Sequence, residues 1–188
     1  MKPDSWHSNR KAGTKPRQSF SSASKLLWCG LLFAVIAPAQ DFPSRFQLVP
    51  GSGAAESFSL HQTVVRRGKP RDAIVLVAPA TIRAPLSGYG GNLLLECDAT
   101  PVYNIGDGMQ LTVAIRTGSA ERQIFTRYFD AGRRAEDREW VHLSIPLAVT
   151  EPSTSELVIT VSGGPHGDLV ADWLALASIR IIQRTQPL

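Results

Sequence analysis

The chain has 188 residues, with 20 Lys and Arg against 16 Asp and Glu, for a formal charge of +4. Six of the bases and only Asp4 fall within residues 1–39, so the rest carries 14 basic and 15 acidic residues and is close to neutral. Nucleic-acid binding needs a basic stripe that displaces phosphate counterions, and beyond residue 39 there is no such excess.

Residues 1–25 are polar and basic, Leu26 to Ile36 is an apolar run, and Ala37-Pro38-Ala39 places small residues where a signal peptidase inspects the chain. The pattern predicts a cleaved export signal over 1–39, with the protein periplasmic or extracellular. Leu26 to Ala39 is short for a hydrocarbon core of about 30 Å, so no membrane span is expected after cleavage. Cys29 stands near the start of the apolar run rather than at its end, which argues against a lipoprotein. Cys97 is then the one cysteine left, so no intrachain disulfide can form and stability must come from a core. The roughly 149 residues after position 39 suffice for one ordinary domain.

Residues 40–55 mix Pro and Gly with Phe42, Phe46, Leu48 and Val49, as a flexible tether or an irregular lead-in strand would. From residue 56 to 188 apolar residues recur with period two, and turn residues interrupt them about every ten positions. This predicts an all-β antiparallel sandwich of about eight strands, at 57–63, 73–84, 92–98, 109–117, 123–129, 140–147, 157–161 and 178–183. The strand at 109–117 is the clearest, with Met109, Leu111, Val113 and Ile115 on one face and Gln110, Thr112, Ala114 and Arg116 on the other. Gly118 to Glu121 supplies a hairpin connection to the next strand. Arg66 to Arg71 and Asp130 to Arg138 read as solvated connections. No long amphipathic helix separates the strands, which excludes a parallel α/β sheet.

No catalytic motif stands out. Ser87 lacks the preceding glycine of a nucleophile elbow, and His142 falls on the polar side of its strand. His166 lies in a glycine loop without an identifiable nucleophile. Glu96 and Asp98 can share a face, as a glycosidase pair would, but carboxylates at solvent-facing strand positions are ordinary. The spacings of His and Cys suit no transition metal. Calcium needs only oxygen, and Asp107, Asp168 and Asp172 with nearby carbonyls can supply it. The competing reading is that Asp107 closes a Gly-Asp-Gly turn while Asp168 and Asp172 bond their own backbone. Trp140 and Trp173 suit buried plugs of the sandwich, whereas Tyr89 and Tyr103, in glycine and asparagine loops, suit exposed platforms for a sugar face.

Tyr89-Gly90-Gly91 before a strand, Gly106-Asp107-Gly108-Met109 opening the next, and a charged loop ending at Trp140 before Val-His-Leu-Ser-Ile-Pro-Leu form a recognisable order. Gly164-Pro165 and Asp168 to Trp173 then precede an Ile-rich final strand. Over residues 73–182 this order resembles bacterial galactose-binding-like jelly-roll domains, in particular NPCBM-like carbohydrate-binding modules. The resemblance implies a non-catalytic sandwich that recognises carbohydrate or another envelope component and sometimes holds a structural calcium. Tyr89, Tyr103, Asp107, His166, Asp168 and Trp173 are the ligand-binding candidates, and Asp107, Asp168 and Asp172 the candidate calcium ligands. Two other classes stay open, an envelope assembly protein acting by protein contact and a small glycoside hydrolase.

Overall fold

The computed structural model describes residues 42–49, 60–90, 92–167 and 169–184. The predicted signal segment therefore lies outside the described residues. Ten strands follow in order: β1 (Gln47–Leu48), β2 (Leu60–Arg66), β3 (Lys69–Val77), β4 (Ala80–Pro85), β5 (Asn92–Pro101), β6 (Met109–Thr117), β7 (Ala120–Phe129), β8 (Val141–Leu147), β9 (Ser155–Gly163) and β10 (Trp173–Arg184). They form two five-stranded sheets, ordered β1-β4-β9-β6-β7 and β2-β3-β10-β5-β8. Every described pairing is antiparallel. Among the described residues no helix is long and apolar enough to cross a membrane.

The core is the space between the sheets, and alternation fills it. Met109, Leu111, Val113 and Ile115 of β6 and Leu157, Ile159 and Val161 of β9 face inward from one sheet. From the other come Leu93, Leu95 and Cys97 of β5, Leu143, Ile145 and Leu147 of β8, and Leu174 and Leu176 of β10. Each fully buried Leu or Ile contributes roughly 1.5–3 kcal/mol relative to exposure. On β10 the register slips between Ala177 and Arg180, with Ser178 at φ 53°. This β-bulge adds one residue, so Ile179 takes the inward position that strict alternation from Leu176 would give to Ser178.

Two expectations need correction. Residues 73–84, read as one strand, are parts of β3 and β4 in different sheets. Pro79 has no N–H to give a ladder, and Ala78 N donates to Asp172 O at 2.9 Å, so the chain leaves one sheet there and enters the other. The connection at 130–138 is not merely solvated. Asp137 is fully buried, accepts Arg127 Nη2 on Oδ1 at 2.8 Å and takes the Asp130 N–H on Oδ2 at 2.8 Å. Arg138 caps the same loop from the other side, donating to Ala131 O and Gly132 O. Of the lead-in, Gln47-Leu48 forms an edge strand on β4, and Phe46 and Leu48 pack against the core.

The Arg66 to Arg71 turn is likewise tied down. Gly68, at φ 73°, closes the β2–β3 hairpin. Around it Arg66 donates to Pro101 O and to Asn104 Oδ1, Arg67 pairs with Glu139, and Trp140 Nε1 donates to Lys69 O at 3.2 Å. Beneath lies a second small apolar cluster of Val64, Ala73, Val75, Ala175 and Ala177, flanked by Val102, Trp140 and Trp173.

Two outcomes test this packing. Asp137→Ala strands the Asp130 N–H and the Arg127 guanidinium, and chemical denaturation should show a loss of roughly 2–3 kcal/mol. Burial pushes the Cys97 thiol up to about 12, with the neighbouring Asp98 carboxylate adding to the shift. Peptide-level mass spectrometry after alkylation at pH 8 should find Cys97 unmodified in the native protein and modified in guanidinium.

Candidate functional site at the loop end

β5, β7 and β9 all finish at one end of the sandwich, so the connections 102–108, 130–140 and 164–172 gather there. Val102 N donates to Trp173 O at 2.7 Å, which ties the first connection to the start of β10. Tyr103 then packs edge-on against Trp173, with ring centroids 5.5 Å apart and planes at 73°. Trp173 is half-buried over the small apolar cluster, while Tyr103 remains 41% exposed. A ring held by a second ring, with its outer surface in solvent, is a rigid amphipathic platform. Asn104 and Arg66 stand beside it at 3.1 Å from each other, and burial lowers the Arg66 guanidinium from its ordinary value.

Asp107 joins two of the connections. Its Oδ2 accepts the His166 N–H at 2.8 Å, and its backbone carbonyl accepts the Tyr128 hydroxyl. Asp172, fully buried, accepts the Gly164 N–H on Oδ2 at 3.4 Å. Asp107 is 8% exposed, and its Oδ1 is buried with no hydrogen-bond partner among the described residues. The glycines here leave room for oxygen. A Cβ on Gly164 would fall 2.6 Å from Gly108 O, and one on Gly106 would fall 2.9 Å from Val170 O and 3.2 Å from Asp172 Oδ1. Asp107 Oδ1 and Gly108 O thus stand around Gly164, and Asp172 Oδ1 and Val170 O around Gly106, carboxylate and carbonyl oxygens of the kind a hard cation takes. Among the described residues no group of three or more His, Cys, Asp or Glu side chains converges, so backbone oxygens would have to complete the coordination.

The structure brings Tyr103, Asp107, His166, Asp172 and Trp173 to this end. Asp168 lies outside the described residues. Tyr89 does not join them: it precedes β5, whose first residue pairs with Arg184, whereas Tyr103 follows the other end of that strand, where Pro101 pairs with Leu174. Tyr89 is also no exposed platform. It is half-buried against the core with Arg45 5.5 Å from its ring centre, and burial raises its hydroxyl pKa. The physical reason is the strand itself, whose ten residues separate its two flanking loops by about 30 Å.

Sequence reasoning missed the cations. On the outer face of the second sheet Asp98 pairs with Arg71 and accepts from His142 Nδ1 at 3.2 Å, while Glu96 holds Arg180 Nε at 2.9 Å. Arg71 also lies 5.3 Å from the Trp140 ring centre. Period-two alternation places Glu96, Asp98 and His142 on this face, but Arg71 and Arg180 arrive from strands distant in sequence.

No protein-family model matches the sequence, and no curated protein matches it. Solved structures do. The CBM22-1 and GH10 modules of Clostridium thermocellum xylanase 10B, complexed with xylohexaose, match with a TM-score of 0.53 and 9% identity over 77% of this chain and 27% of that one. This chain therefore spans about a quarter of that protein's length. The K2 cleaved adhesin domain of Lys-gingipain matches with a TM-score of 0.51 and 11% identity over 80% of this chain and 95% of the other. The CBM51 module of Clostridium perfringens GH95, in complex with methyl-galactose, covers 65% of this chain and 80% of its own at 14% identity, with a TM-score of 0.44. At such identities the likeness is one of fold alone, a sandwich of two antiparallel sheets.

Proposed function

We propose that the chain is an exported, non-catalytic module that binds carbohydrate through the loop end of its sandwich. The observation that carries the reading is Tyr103, fixed edge-on by Trp173 yet open to solvent, with Asn104 and Arg66 close by to meet sugar hydroxyls. The solved structures that share the fold include a xylanase module pair complexed with xylohexaose, which supports a sugar as the ligand class. The exposed large apolar side chains among the described residues are Val65, Tyr103, Ile105, Leu169 and Val170. Four of the five belong to the loop end, so they give no separate face for a protein partner and add apolar area to the same rim.

Asp107 and Asp172, with carbonyls of the crowded loops, would hold a calcium ion that locks the platform in place. The ion would act structurally, by neutralising two buried carboxylates and joining the connections before and after the sugar rim.

Glycan-array binding followed by calorimetry tests the sugar site. Tyr103→Ala should weaken binding at least tenfold, whereas Tyr89→Ala, at the opposite end, should leave it unchanged. Binding that survives Tyr103→Ala and His166→Ala together would sink the loop-end site. For the ion, calcium at about 100 times its dissociation constant should stabilise the protein by roughly 2.7 kcal/mol over a chelated sample. Asp107→Asn should abolish that difference, and equal melting curves with calcium and with chelator would dismiss the ion.

A further inference from the structure

The first sheet carries an open recess of about 450 Å³ on its outer side, at the end away from the loops just described. Its walls are Arg83 and Pro85 of β4, Arg116 of β6, Glu156 of β9, and the hydroxyl-rich turn that precedes β9. The placement follows from register. Arg116 and Pro85 both stand opposite Glu156, and Arg83 stands opposite Val158, two residues further along β9.

Ordinary surface strands resolve such a group by pairing its charges, as Glu96 and Arg180 do on the other sheet. Here they are not paired. Arg83 and Glu156 make no side-chain hydrogen bond or ion pair among the described residues, and Arg83 Nε is buried without a partner. Arg116 spends its Nε on Gly118 O at 3.1 Å and leaves the rest of its fork uncommitted, although Glu156 and Glu121 both stand opposite it. Ser155 and Thr154 are bound within the turn to Glu151, so they stiffen the wall, while Ser153 keeps its hydroxyl uncommitted. A buried donor left unsatisfied is costly unless a ligand completes it.

Two guanidinium forks match the planar geometry of a carboxylate, and one carboxylate with a free hydroxyl matches the hydroxyls of the same ligand. The recess lies in the size range of small-molecule sites. We propose that it is a second ligand site, specific for a uronic-acid residue. Arg83 and Arg116 grip the sugar carboxylate, and Glu156 and Ser153 meet its hydroxyls. The choice of a sugar acid rests on the carbohydrate reading, whereas the site itself rests only on the unsatisfied charges.

Calorimetric titration of the full chain with trigalacturonate, its methyl ester and inorganic sulfate tests the assignment. Trigalacturonate should bind, esterification should weaken it at least tenfold, and sulfate should compete poorly. Arg83→Ala should cost at least tenfold in affinity, Arg83→Lys should recover part of it, and Tyr103→Ala should have no effect. On the unmutated protein, trigalacturonate should shield Arg83 from phenylglyoxal, read by peptide mass spectrometry, so the test does not depend on a variant folding. Undetectable binding, equal binding of the ester, full competition by sulfate or unshielded Arg83 would each overturn the proposal. Loss of uronate binding in Tyr103→Ala would assign the ligand to the loop end instead. Loss of neutral-glycan binding there, with uronate binding intact, leaves the two sites independent.

Discussion

Everything else in this molecule depends on two sheets burying their inner faces against each other. β6 and β9 on one side and β5 and β10 on the other carry most of the inward Leu, Ile, Val and Met. A period-two pattern confines that duty to every second residue, and a one-residue slip would expose the entire set. The alternate residues and the connections are thereby released from core packing. They are where the chain places its charged and aromatic side chains.

The loop end uses that freedom at a cost. Asp107, Asp130, Asp137 and Asp172 are all buried within or beside its connections. Carboxylates are removed from water only when something else meets them. Asp137 is met by Arg127 and a backbone N–H, and Asp130 caps the N–H of Arg133. Asp107 bonds across to the His166 backbone while one oxygen stays unmet. These aspartates act as braces that fix long connections, and the aromatic pair Tyr103–Trp173 rests on the same framework. A rigid rim of this kind loses little entropy when a ligand settles on it.

Loop end and recess use opposite chemistries. The first offers an aromatic ring, apolar side chains and polar tips, suited to the mixed faces of a neutral sugar. The second offers uncommitted guanidiniums beside a carboxylate, suited to an acidic one. They lie at opposite ends of strands of nine residues in β6 and β9, so neither requires the other.

Most of the sandwich was legible in the sequence because alternation is a local signal. β6 matches its expected span, and the Gly118-Ser119 turn joins it to β7 as the spacing indicated. The last strand was legible only in part: the expected span 178–183 omits Trp173 to Ala177, which pair with β3 and begin β10 directly after Asp172. Local pattern could not show that residues 73–84 change sheets, because both halves alternate alike and only the absent N–H of Pro79 and the position of Asp172 divide them. Nor could it separate Tyr89 from Tyr103, since two tyrosines in similar loops look alike until strand direction sends them to opposite ends. The outer-face clusters were illegible for the same reason: Arg71 meets Asp98, and Arg83 and Arg116 flank Glu156, only through cross-strand register. Sequence by itself determined which residues alternate and therefore the class of fold. Tertiary structure decided which charges and rings meet, because such meetings depend on pairing between strands far apart in the chain.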